Sequence, residues 1–175
     1  MSILLEAAID TFRKQKSLAE RAMVQLSDQQ LRVALDANTN SIAVIAKHMA
    51  GNMRSRWTDF LTTDGEKPWR ERDDEFVDTF TSREQILETW NAGWSCLFQA
   101  LEALSESDLE KQIAIRGEPL TVPLAILRQI DHYAYHVGQI VFIARILAGD
   151  HWHVLTIPRG KSREYNERVW RGDGS

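Results

Sequence analysis

A single cysteine excludes any disulfide within the chain, and Cys96, flanked by Trp94 and Leu97, reads as a small buried hydrophobe in a protein of a reducing compartment. No stretch reaches roughly 18 uninterrupted apolar residues, so no membrane-spanning helix is expected. The opening MSILLEAAIDTFRKQK has neither a basic leader nor a small-residue cleavage site, and it carries Glu6 and Asp10 within its apolar stretch. Those absences predict an unprocessed cytoplasmic protein that stays off the membrane. Lys and Arg form no long basic tract and the net charge is −4, which gives no support for nucleic-acid binding, although Arg54, Arg56, Arg70 and Arg72 are locally dense.

What is present is an ordinary globular composition, 43% hydrophobic and 26% charged, over 175 residues, enough for one domain spanning 1–175 and too few for two of usual size. Apolar residues recur near helical spacing from Ile3 to Leu26, with Leu4, Ala7, Ala8, Phe12, Leu18, Ala22 and Val24 as the expected stripe. A capping-box-like Ser27-x-x-Gln30 starts a short turn, and Ser41 opens a second long helix to about Leu61. From Thr62 to Thr81 the Asp-Gly, Lys-Pro and charge-rich text breaks the helix. So long a connection is either functional or mobile, and its Trp69, Phe76 and Phe80 predict order, with Trp69 or Phe76 packed on the helices or on a second subunit. Ser82 and Gln85 start a third long helix through Leu104, β-branched alternation around Arg116-Gly117-Glu118 suggests a small hairpin, and Thr121 and Pro123 open a fourth helix that stops at Gly149. The expected class is all-α, with four long helices and two decorated connections.

The chemistry is concentrated in the fourth long helix. His132 and His136, four residues apart, share one face, a spacing one metal ion can span because the rigid helix fixes both donors. Gln129, His132, His136 and Gln139 make one polar line along an otherwise apolar helix, so the line should face a cleft where buried polar groups need partners. His48, at the edge of the second helix's apolar stripe, is the third candidate ligand. Three protein ligands with a position left open define a site able to do chemistry, for a divalent transition metal. Gln129 and Gln139 are candidate pocket groups. His151 and His153, beyond Gly149, are poor ligand candidates, and Asp131, turned about 100° from the pair, reads as a surface or capping charge. The arginines at 54, 56, 70 and 72 either clamp an anionic substrate or pair with Asp73, Asp74 and Glu75. Arg159 and Lys161 either border the pocket or belong to a turn.

The strings IAKHMAGNMRSRW and DHYAYHVGQI, which carry these histidines, resemble the DinB/YfiT-like superfamily of metal-binding four-helix bundles. RWTDFLTTDGEKPWRERDDEF and LTIPRGKSREYN look like one uncharacterised branch of it. The resemblance covers nearly the whole chain and implies an up-down-down-up bundle and a homodimer. It also implies nickel or zinc held by His48, His132 and His136, and a low-molecular-weight thiol as cosubstrate. Three functions stay open: a metal-dependent thiol S-transferase acting on a small-molecule electrophile, a metal-dependent hydrolase, whose general base the sequence does not clearly provide, and a non-catalytic metal- or small-ligand-binding dimer.

Overall fold

Hydroxyl side chains set where the long helices begin. In the computed structural model, which describes residues 2–172, α1 (Ile3–Met23) starts where Ser2 Oγ accepts the Leu5 amide. α2 (Asp28–Leu31) carries a full capping box between Ser27 and Gln30. α3 (Ile42–Trp57) is capped by Ser41, α4 (Arg83–Glu102) by Ser82, and α5 (Val122–Ala148) by Thr121, with Pro123 in its first turn. Gly149, at φ 55°, ends α5 in a conformation that glycine adopts without strain. β1 (Gln112–Ile115) and β2 (Glu118–Thr121) form the antiparallel hairpin, with Ile115 opposite Glu118. Its turn residues Arg116 and Gly117 both have positive φ, the geometry a two-residue hairpin loop requires.

The molecule is predominantly helical. α1 packs on α5 and α3 on α4, and lighter contacts of α3 with α5 and of α1 with α4 join the two pairs. At the centre each long helix contributes one aromatic: Phe12, Trp57, Trp94 and Tyr133, with Phe12 ring centroids 5.7–6.3 Å from the other three. α3 and α4 approach closely at Gly93, where a Cβ would stand 2.7 Å from Ala50 Cα. No helix among the described residues is long and apolar enough to cross a membrane.

Several sequence expectations need adjustment. In α1 the core face is Leu5, Ala8, Ile9, Phe12, Ala19, Ala22 and Met23, so Ala8, Phe12 and Ala22 are buried as expected while Ala7 and Val24 are exposed. α3 ends at Trp57 rather than near Leu61: Thr58 turns extended and Asp59 takes φ 48°, which lets Phe60 fold back against Trp57 at 4.8 Å. The 62–81 connection carries a 3-10 turn at Asp73–Phe76 and buries Phe80. A further helix, α6 (Ser162–Trp170), follows the four expected long helices, where no helix was expected; it buries none of its residues. Cys96 is half-buried, packed against the core beside Thr58.

Candidate metal centre

One rigid element, α5, supplies most of the site. A separation of four residues places His132 and His136 a turn apart, and their Nε2 atoms lie 3.1 Å from each other. Two nitrogens held about 2.0–2.1 Å from one zinc ion at a tetrahedral angle stand about 3.3 Å apart, so this spacing suits a shared ion. His136 Nδ1 lies 2.8 Å from Gln139 Oε1. With that amide oxygen accepting, Nδ1 carries the proton and Nε2 keeps a bare lone pair directed at His132. Gln139 therefore orients a candidate ligand.

His48 arrives from α3. Its ring meets those of His132 and His136 edge-on at centroid distances of 5.6 and 4.9 Å, and the potential ligand atoms of all three histidines lie within 4.8 Å of one another. His48 Nδ1 donates to Glu75 Oε2 at 2.9 Å, which leaves its Nε2 free to bind. Glu75, almost fully buried, is gripped at both oxygens by Arg70 at 2.8 and 2.9 Å. Space for this carboxylate exists because residue 51 is glycine: a Cβ there would stand 2.2 Å from Glu75 Oε1. Phe76 stacks on the His48 ring at 4.8 Å, so the long connection packs directly on the site. A carboxylate behind a histidine is the arrangement that fixes the tautomer and orientation of a metal ligand.

Burial keeps two of the imidazoles in the form that can coordinate a metal. Burial first, then the nearby His136 and His48, push His132 down to about 3, and burial also lowers His136. Both imidazoles are thus uncharged at neutral pH, the form that coordinates metals. Burial alone would raise the Glu75 carboxyl, but hydrogen bonds from Arg70 and His48 outweigh it and hold the group below its ordinary value. Uncharged imidazoles at 132 and 136, joined by a His48 ring that a carboxylate orients, are a donor set that could hold a divalent transition metal.

An open cavity of about 400 Å³ adjoins the cluster and includes His48 and His132 in its wall. Gln129 lies in the same wall, buried, and its Oε1 has no hydrogen-bond partner among the described residues. Of the dense arginines, Arg56 and Arg70 are buried ion-pair partners of Glu66 and Glu75, Arg54 stacks over Trp69, and Arg72 lines the cavity. Asp131 is an exposed surface charge, as expected, and also lines the cavity. Arg159 and Lys161 are exposed and not among the cavity's residues, and Lys161 pairs with Glu164. His151 and His153 are exposed and outside the cluster. Sequence reasoning overlooked Glu75 as a group that acts on a ligand: one acid in a run of charges carries no period that singles it out.

The residues of this site all fall within a stretch, 2–161, that matches the family model DUF1572, described as a protein of unknown function. The chain belongs to the DUF1572 family. No curated protein matches the chain. In this DUF1572 protein the matched stretch takes in every element from α1 to α5 and stops just short of α6.

Proposed function

We propose that this DUF1572 protein is a DinB/YfiT-like four-helix-bundle metalloprotein. His48, His132 and His136 hold one divalent transition ion, nickel or zinc, and the centre serves a thiol S-transferase reaction on a small-molecule electrophile. The observation that carries the reading is the convergence of three imidazoles, two of them 3.1 Å apart at Nε2, beside an open cavity. An ion held by His48, His132 and His136 would supply Lewis acidity, which would make a thiol in the open position a stronger acid.

The chain's own residues do the rest. His136 is aimed by Gln139 and His48 by Glu75, so the donors need little reorganisation. The cavity supplies room for an electrophile next to the cluster. In the reaction the thiol sulfur forms a bond to the electrophilic carbon, the leaving group departs with its bonding pair, and the thiol proton passes to solvent. Glu75 is committed to Arg70 and His48 and is therefore a positioning group, not a base. The chain acts as a cytoplasmic homodimer in this reading.

Metal analysis of untagged protein, repeated on separate His48→Ala, His132→Ala and His136→Ala variants, tests the centre. About one equivalent in the parent and a sharp loss in each variant is expected; equal stoichiometry in all four proteins removes the shared site. Mass spectrometry with candidate thiols and electrophiles then tests the reaction. Thiol-dependent product supports the transferase, while thiol-independent hydrolysis or metal binding without turnover replaces it with a hydrolase or a binding module.

A further inference from the structure

The chain as a whole is acidic, with a net charge of −4, yet the cavity beside the histidines is strongly basic. Five arginines line it, Arg56, Arg70, Arg72, Arg116 and Arg128, against a single carboxylate, Asp131. Three of the five are already engaged. Glu66 is shared among Arg56, Arg70 and Arg116, and Glu75 serves Arg70 and His48, so two carboxylates answer three guanidinium groups and leave an excess of positive charge. Arg72 and Arg128 have no carboxylate within salt-bridge distance among the described residues. Arg72 is held over the Phe76 ring at 5.5 Å, the same ring that stacks on His48. Arg128 precedes His132 by four residues on α5 and therefore shares its face.

A second observation, independent of charge, also points to a ligand. Gln129 is 4% exposed, lines the cavity, and its Oε1 meets no donor among the described residues. Buried amides are normally satisfied, so this one calls for a polar group from outside the chain. Nearby, Trp57 Nε1 donates to Tyr133 Oη at 3.2 Å and Tyr133 donates to Asn52 Oδ1 at 3.0 Å. That relay fixes the Asn52 amide with its oxygen occupied, leaving the NH2 as the group available on a side chain that also lines the cavity.

We propose that the cavity binds an anionic small molecule, whose carboxylate or phosphate group pairs with Arg72 and Arg128 and whose polar interior meets Gln129 and Asn52. Its remaining end lies toward His48 and His132. Planar guanidinium forks suit both anions, and two that are free of internal carboxylates can be used without first breaking an ion pair. The inference deepens the preceding one, because it rests on the histidine centre for what the anion is brought to, and it names the substrate class of that centre. The anion subsite itself is built from other residues.

The test is calorimetric titration of metal-free, chelator-treated protein at low ionic strength with inorganic phosphate and, separately, malonate. The parent is expected to bind at least one of the two, and the tighter probe identifies the group. Arg72→Gln and Arg128→Gln should each weaken that probe about fivefold or more, while Arg163→Gln, on the exposed α6, should leave it unchanged. Binding equal in the parent, Arg72→Gln and Arg128→Gln, an equal loss in Arg163→Gln, or no binding of either probe would overturn the subsite. Zinc titration of His132→Ala separates the two readings. If that variant loses zinc but keeps the anion, both stand; if it binds zinc like the parent, the metal centre fails while the anion subsite stands.

Discussion

Glu75 shows how much one side chain decides at the residue scale. It holds His48 through Nδ1, is itself gripped by Arg70, and occupies a space that only glycine at position 51 leaves open. Glu75→Gln should therefore weaken zinc binding by about 10–100-fold with helix content retained, as measured by competition with a chromophoric chelator and by circular dichroism. Gly51→Ala should act in the same direction, since its Cβ would overlap the carboxylate. Unchanged affinity in both variants would mean that His48 needs no support from Glu75. The pair His132 and His136 was legible because helical periodicity puts both on one face; Glu75 was not, because it reaches the site through an irregular turn.

Among the elements, the long connection and the hairpin are locked together by Asp64. Its Oδ1 accepts the amides of Glu66 and Arg116, and its Oδ2 accepts that of Gly117. Arg116 takes φ 58°, a conformation uncommon for a side-chain-bearing residue, and the carboxylate supplies a partner for its amide there. Asp64→Ala should raise amide exchange at Gly117 by on the order of tenfold, because a hydrogen bond to a charged group contributes about 1.5–3 kcal/mol; exchange at parental rates would show that the clamp is dispensable. The backbone hydrogen bonds of Glu66 and Gly117 lower the Asp64 carboxyl below its ordinary value of 3.8. A folded pKa below the unfolded one means that this contribution is fully present above the unfolded value and is lost as pH falls through the folded one. Denaturant melts from pH 6 down to about 2 should thus lose stability less steeply below about pH 4 in Asp64→Asn than in the parent.

For the whole molecule, the proposed metal, held from α3 and α5, would tie two helices that otherwise make lighter contact than α1 with α5 or α3 with α4. Free zinc at about 100 times its dissociation constant should add about 2.7 kcal/mol to unfolding stability, and His132→Ala should lose the gain. Thermal melts with and without chelator read this directly, and a parent indifferent to zinc would contradict it. α5 also exposes Leu124, Leu127, Tyr135, Phe142 and Ile146, an apolar set in keeping with the proposed homodimer. Light scattering should give about twice the 20.1 kDa of one chain at micromolar concentration, and a mass of one chain across a dilution series would count against the dimer.

Local chemistry determined the helices, because caps and periodicity act within a few residues: Ser41, Ser82, Thr121 and Gly149 mark ends that the fold keeps, and the hairpin lies where alternation suggested it. The polar line from Gln129 to Gln139 was likewise readable, being a property of one helix. Only packing decided what lay between distant segments: that His48 meets the pair on α5, that Glu75 and Arg70 stand behind it, that Asp64 fastens the hairpin, and that arginines from α3, α5, the hairpin and the long connection surround one cavity. The contacts of His48 with Glu75 and with the pair on α5 join residues 27 to 88 positions apart. No sequence period encodes them, because burial of the apolar faces brings the segments together and only then do the polar groups find partners.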